Sequence, residues 1–453
     1  MFSQIFGSFL EGLSGLQFLL AYWWFWLFCV LIVTAWITWI TYVREYWYYI
    51  SNPWTLYEIK IPAELQRGPA AMESLLHVMH TARYQPDVFL NTDGSINWHD
   101  FFGAIKDQIK TGEFVIHNSI EVTSHNGEIN FYLRVPGRYR QSIEAAFYAN
   151  YPDIELRPVD DYIYRYPPTY DDLLKRGLQL FGSELTLRRN AVLPLRTYMD
   201  IEGKDKDWDR LDPISQLIEL IGKIKPGETV WVQFLIRSSG GRAESKWKKE
   251  AAVEIQKKWD EWKSRPSEPG VTFRFPDRKP GDQKVVEAMQ EKESKPLFDV
   301  ILRYIYIAPK EIWSYNFGRG ILPHPFTQYA SGSLNSMGHN YGAITQAAYA
   351  YFPYSFPVTR YRLRARIIYY RYRRRIMQGI TFDVAGRNWN PFDLKIAPYS
   401  PKEVMKLSTT ELATLIHLPT YLVTTGPFVK RVEAKRLGAP AGLAIYGEEE
   451  PSA

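Results

Sequence analysis

EFVIHNSIEVTSHNGEINFYLRV, residues 113–135, is the stretch on which the fold turns. Two β-rich runs, 113–124 and 128–135, meet across Asn126-Gly127. Asn-Gly favours a two-residue hairpin loop of type I′, because both central positions need positive φ. Upstream, residues 54–62 (WTLYEIKIP) alternate apolar and polar side chains and end at Pro62, a strand pattern. Residues 68–83 place Met72, Leu75, Leu76 and Met79 at helical spacing, with Pro69 near the first turn. A polar connection, 84–112, leads into the hairpin. Beyond it, 138–150 (RYRQSIEAAFYAN) reads as a helix and 153–159 (DIELRPV) as a closing strand. The order β-α-β-β-α-β over residues 54–160 is a ferredoxin-like α+β arrangement, with two helices covering one face of a four-stranded antiparallel sheet.

Residues 185–310 read as a second, elaborated α+β domain. Residues 192–201 (VLPLRTYMDI) have a strand pattern. Asp212-Pro213 opens a helix running to about Ile224, with Asp as N-cap and Pro in first position. Residues 228–237 (ETVWVQFLIR) and 297–307 (LFDVILRYIYI) read as strands, the latter a central one. A charged helix is inserted over 241–264, and its Trp247, Trp259 and Trp262 are expected on an arm projecting from the domain. Residues 265–283 have the Pro, Gly and charge of a mobile connection.

Region 311–443 is aromatic and arginine-rich without a clear period. Near its end, Ser400 with Glu403 and Ser408 with Glu411 each match a capping box. The second opens a short helix, ELATLIH, which Pro419 stops. Residues 444–453 read as a disordered tail.

At the other end no charged residue lies between Glu11 and Arg44. A helix over that stretch would be roughly 48 Å long at ~1.5 Å per residue, against a hydrocarbon core of ~30 Å. Trp23, Trp24 and Trp26 cluster near one end, and Trp36, Trp39 and Trp47 near the other, in the manner of paired aromatic belts. The expectation is a single transmembrane helix over residues 16–50, preceded by an interfacial or disordered segment, 1–15. Arg44, Lys60 and Arg67 follow the span and nothing basic precedes it, which places the body in the cytoplasm at an inner membrane.

With 453 residues and 46% apolar content the chain can bury more than one core. A balance of 55 basic against 49 acidic residues is too mild to demand a nucleic-acid partner. A P-loop needs G-x-x-x-x-G-K-[ST], and Gly222 and Gly227 supply the glycines while Glu228 and Thr229 stand where Lys and Ser/Thr belong. Cys29 is the single cysteine, which rules out cysteine zinc sites and internal disulfides. Glu73, His77 and His80 share a helix face without a matching ligand pair, and His417 reads as a helix-end packing group. No catalytic residue, metal or cofactor is expected.

One charged constellation remains, TRYRLRARIIYYRYRRRIM at 359–377. It holds Arg360, Arg362, Arg364, Arg366, Arg371, Arg373, Arg374 and Arg375, interleaved with tyrosines. On a strand the first four would share one face, and the later residues suit a helix equally well. Arginine pairs with phosphate and tyrosine stacks, so nucleic acid, anionic lipid headgroups and an acidic protein all qualify as partners. The competing reading is a solvated amphipathic surface with its tyrosines packed inward.

WTLYEIKIPAELQRGPAAMESLLHVMH, GEINFYLRVPGRYRQSIEAAFYANYPDIEL, DPISQLIELIGKIKPGETVWVQFLIR, STTELATLIHLP and VKRVEAKRLGAPAGL follow in order. Together they resemble the region preceding the motor domain in conjugative-transfer (type IV secretion) ATPases of small uncultured bacteria. In that family a P-loop motor follows the segment that ELATLIHLP closes. The resemblance therefore implies a non-enzymatic, membrane-anchored scaffold of a DNA-transfer-like machine. Its implied partners are a separately encoded P-loop motor ATPase, the membrane, DNA and further copies of itself. The alternative is a tethered nucleic-acid-binding protein that uses residues 360–375.

Overall fold

The computed structural model describes residues 22–42, 53–62, 64–81, 117–201, 212–239, 241–263, 280–346, 356–377, 382–384, 387–389, 404–421, 423 and 431–432. The chain divides into two compact units, residues 1–53 with 86–115, and residues 54–85 with 116–453. In the first, the described secondary structure is α1 (Trp23–Tyr42). This helix lies inside the span expected at 16–50 and corrects it: among the described residues no helix is long and apolar enough to cross a membrane. The reason is compositional. Trp23, Trp24, Trp26, Trp36, Trp39, three threonines and Tyr42 put a polar atom on nearly every second side chain of α1. Tryptophan belongs to the boundary of a bilayer more than to its centre. All five of these tryptophans stand exposed. Trp47 and segments 1–15 and 444–453 lie outside the described residues.

The second unit opens with β1 (Trp54–Pro62), α2 (Pro69–Thr81), β2 (Asn118–His125), β3 (Glu128–Pro136), α3 (Arg140–Asn150) and β4 (Glu155–Pro158). Its strands pair as β4-β1-β3-β2, all antiparallel, the split βαβ order. Asn126 (φ 56°) and Gly127 (φ 89°) make the hairpin turn. A Cβ on Gly127 would fall 2.6 Å from the Gly222 carbonyl oxygen, so both backbone and packing require glycine there.

After α4 (Tyr170–Lys175) come β5 (Leu178–Leu187), α5 (Tyr198–Ile201), α6 (Ser215–Gly222) and β6 (Thr229–Ser238). Then follow α7 (Gly241–Lys263), α8 (Pro280–Ser294), β7 (Leu297–Pro309) and β8 (Met337–Ile344). Strands β6-β7-β5-β8 repeat the order β2-β3-β1-β4. The second module is thus the first one again, with the helical pair α7–α8 inserted where the first has a two-residue turn. Gly182, Ser183 and Glu184 interrupt the apolar run of β5, and a helical pair separates β6 from β7.

Strand β2 pairs with β6 from Asn118↔Ile236 to His125↔Thr229. The two modules, at 54–160 and 185–310 in the sequence reading, therefore share one sheet. That sheet has ten strands, antiparallel except for the contact of β12 (Arg431–Val432) with the end of β1. The remaining elements are α9 (Pro357–Arg374), a separate pair β9 (Phe382–Val384) and β10 (Arg387–Trp389), β11 (Met405–Ser408) on β7, and α10 (Thr409–Ile416).

Three expectations fail locally. Residues 192–201 are not a strand: the amide of Leu195 donates to the Glu411 carboxylate and that of Tyr198 to the Thr414 hydroxyl, so side chains of α10 replace a strand partner. Helix α8 begins at Pro280, inside the stretch read as a mobile connection. Trp247 does not project on an arm; it is buried with Ala251, Ile255, Val286 and Met289 between α7 and α8. The capping box at Ser408 and Glu411 forms with both of its hydrogen bonds, whereas Ser400 and Glu403 lie outside the described residues.

Both faces of the sheet are covered. On one, Leu75 and Leu76 of α2, Phe147 of α3, Ile218 of α6 and Leu412 of α10 pack on Phe131, Val232, Phe234 and Leu302. On the other, α4 and α9 set Leu173, Ile368, Tyr369 and Tyr372 against Tyr132, Trp231, Ile305 and Ile307. Gly182 permits this approach, since a Cβ there would meet Ile368 at 3.0 Å.

Candidate functional site

Beneath α9 a single transverse row of polar side chains crosses the sheet. Register places Glu58 opposite Tyr132, Tyr132 opposite Glu121, Glu121 opposite Gln233, Gln233 opposite Arg303, and Arg303 opposite Glu184. Gln233 Nε2 donates to Glu121 Oε1 (3.0 Å), and Arg303 Nη1 donates to Gln233 Oε1 (3.1 Å). Arg303 also donates to Glu184 through Nε (2.9 Å) and Nη2 (2.6 Å). Glu121, Gln233 and Arg303 are fully buried, and buried charge persists only where it is paired and hydrogen-bonded.

Arg375 closes the row. It follows the last turn of α9 in left-handed backbone (φ 52°), which swings its side chain down towards the sheet. Its Nε and Nη2 donate to the two carboxylate oxygens of Glu121 at 2.7 and 2.9 Å, and its Nη1 and Nη2 donate to Asp161 at 2.5 and 3.0 Å. Tyr162 donates to Glu121 at 2.8 Å. Burial by itself would raise the Glu121 carboxyl; the Arg375 guanidinium outweighs it and holds the group below the ordinary value. Burial opposes the charge on Arg375 too, yet Glu121 and Asp161 raise it well above the usual guanidinium value. The Tyr162 and Tyr372 hydroxyls, 2.9 Å apart, are raised by burial and then by Glu121.

The other seven arginines separate by the geometry of a helix, not of a strand. At ~100° per residue, Arg360 and Arg364 fall on one side of α9, Arg362 and Arg366 on the other. Arg364 Nη1 lies 3.3, 3.2 and 2.7 Å from the carbonyl oxygens of Tyr341, Ile344 and Gln346, at the end of the edge strand β8. Arg373 donates to the Ile163 and Tyr166 carbonyls and lies over the Tyr369 ring. Arg366 pairs with Asp171 (2.9 Å), both half-exposed. Arg374 stands over the Tyr370 ring at 5.7 Å. Arg362 and Arg374 are exposed, Arg360 and Arg371 partly buried. The eight therefore do not form one binding face.

Edge strands with open carbonyls recruit other strands, and a cation over them blunts that tendency. Arg364→Ala is expected to leave these carbonyls uncovered and cost about 1–2 kcal/mol. Light scattering should show concentration-dependent self-association of the variant, and a monodisperse variant of unchanged stability would refute the edge-capping role.

Further charged ties sit on the opposite face. Lys292 of α8 contacts Glu411 (3.0 Å), both almost fully buried, and burial lowers the lysine while Glu411 counteracts. Glu73 accepts from Thr410 (2.7 Å) and Tyr198 (3.0 Å) and pairs with Lys295. Asp299, buried, is held low by Arg237 and Lys406, which together outweigh its desolvation. His417 places Nε2 2.7 Å from Asp212 Oδ1 and Nδ1 against the Ala413 and Thr414 carbonyls. It is the helix-end packing group that its place after ELATLI indicates.

Residues weighed earlier for phosphate or metal are employed structurally. Glu228 accepts from the Lys225 amide and the Tyr306 hydroxyl, in the turn where a P-loop lysine would stand. Glu73 faces threonine, tyrosine and lysine, His77 is exposed, and His80 packs edge-on against Phe298. Among the described residues no group of three or more His, Cys, Asp or Glu is placed to hold a metal ion.

Sequence reading missed the polar row. Its signal was present: Gln233 and Arg303 are isolated polar residues inside otherwise apolar strands, VWVQFLIR and DVILRYIYI. Such residues must find each other in the core. No protein-family model matches the chain, and the curated proteins contain no match to it.

Proposed function

We propose that this chain is a non-catalytic scaffold of a type IV secretion or conjugative DNA-transfer-like machine, working with a separately encoded P-loop motor ATPase. The observation that carries the non-catalytic part is the fate of the ionisable residues. Glu121 with Arg375, Glu184 with Arg303, Asp212 with His417, and Glu411 with Lys292 are each sealed in the interior and satisfied by one another. Catalytic groups need access to a substrate and a proton-transfer path. These groups lie too deep to offer either. A sheet that two modules share, with helices packed on both faces, suits a rigid platform. The motor as partner rests on the sequence resemblance.

Affinity purification of the full chain after chemical crosslinking, in its native host, tests the reading. The expected result is recovery of a P-loop ATPase with the chain, and no ATP hydrolysis by the chain alone. Repeated purifications without such an ATPase, or turnover by the isolated chain, would overturn it. Light scattering of the purified chain decides whether the scaffold self-associates.

A further inference from the structure

We infer that the buried polar row is a pairing device: it commits β2 to β6 of the same chain in one register and bars the same strands of a second copy. The need for such a device follows from the joint itself. The two modules repeat one strand order, so β2 and β6 are equivalent strands, each able to pair with the other or with its own kind. His125 and Thr229, which meet at one end of the joint, lie 104 positions apart along the chain, and no hairpin turn sets the alignment.

On the face covered by α2, α3, α6 and α10 the joint is apolar on both strands. Register there sets Ile120 against Phe234 and Val122 against Val232. Sliding one module by two residues would set Ile120 against Val232 or Ile236, and Val122 against Val230 or Phe234. Those pairs are as apolar as the native ones, so this face leaves the register open. The face beneath α9 closes it. Glu121 stands opposite Gln233, both fully buried. The same slide would move Glu121 opposite Leu235 or Trp231 and away from the Gln233 amide. It would also draw off Arg375, because α9 rides on β5 through Tyr361 and Ile368 and moves with the second module. Glu121 would then be a buried charge without a cation, a costly state. Pairing β2 with β2 of a second copy, with the row aligned, would bring two Glu121 carboxylates face to face. Fixing register is the best-attested role of buried ionic groups, whose net contribution to stability against apolar residues is small. The Gly227 amide also ties the modules by donating to Asn126 Oδ1 at 2.7 Å, but at an exposed position where water can replace it.

The test reads the register directly. In the full chain carrying Cys29→Ser, the changes His125→Cys and Thr229→Cys place thiols at two positions whose side chains already meet at 2.8 Å. Mild oxidation should link them within one chain. A slide by two residues makes the pair diagonal and takes it out of disulfide reach. Adding Glu121→Leu, Gln233→Leu and Arg375→Leu removes the polar pairing across the joint, while Asp161 stays partly exposed and Arg303 stays on Glu184. The within-chain link should then fall to roughly a third, as three registers become alike, and disulfide-linked dimers should increase with protein concentration. Asn126→Ala should leave the link as it is. Should the triple variant not melt cooperatively, Gln233→Leu alone is read in the same way. A folded row variant that still links wholly within one chain overturns the proposal, and so does an equal loss of the link in Asn126→Ala.

Discussion

Arg375→Met is expected to cost about 3–5 kcal/mol of unfolding free energy. The guanidinium is 2% exposed and bridges Glu121 to Asp161. Without it Glu121 remains fully buried, facing Tyr162, Ser119 and Gln233 but no cation in hydrogen-bonding contact. The sign of the pH dependence follows. In the wild type the Glu121 carboxyl is depressed, so its contribution is present above the ordinary carboxylate value and is lost as pH falls through the folded one. In the variant burial is opposed only by the remaining neutral hydrogen bonds from Tyr162, Ser119 and Gln233, and the carboxyl is expected to rise, so acid relieves the unpaired charge. The stability gap between the two proteins should therefore narrow from pH 7 to pH 5. Chemical denaturation at both values measures it, and Glu121→Gln added to Arg375→Met should restore part of the loss. A gap under about 1 kcal/mol at pH 7 would mean that the pair is dispensable.

Asp212→Ala should be nearly as damaging, at about 3 kcal/mol, because one carboxylate serves three elements. Its Oδ1 accepts from the Ile214 amide and faces His417, and its Oδ2 accepts from the amide and hydroxyl of Thr420. Burial would raise this carboxyl; His417 and Thr420 together bring it down to about 2 from an ordinary 3.8. At ~1.4 kcal/mol per pH unit, that difference contributes on the order of 2 kcal/mol. Because the folded value is the lower one, the contribution is complete above about pH 4 and disappears as pH falls towards 2. Acid titration of stability should show a component in that window for the wild type and none for Asp212→Ala. Equal acid profiles would remove Asp212 from the account.

The sequence by itself determined the local elements. Asn126-Gly127 demands a tight turn whatever surrounds it, Ser408 with Glu411 caps a helix through its own backbone, and the spacing of Met72, Leu75, Leu76 and Met79 forces one helix face inward. These depend on neighbours a few residues away, so a linear reading reaches them.

Only the tertiary structure decided the rest. Nothing along the chain reveals that β2 lies beside β6, that Arg375 turns inward while Arg374 stays out, or that Leu195 finds its hydrogen-bond acceptor on Glu411, 216 residues away. Strand partners are set by which buried polar groups must satisfy each other across the sheet, and that condition joins residues that the sequence keeps far apart. Composition over-read the N-terminus for the converse reason: a run without charge looks like a span, although its tryptophans and threonines keep polar atoms throughout. The arginine segment was half legible: its charge stood out, but which arginines turn to the sheet, to the edge carbonyls or to solvent required knowing that the segment is a helix and which side of it the sheet covers.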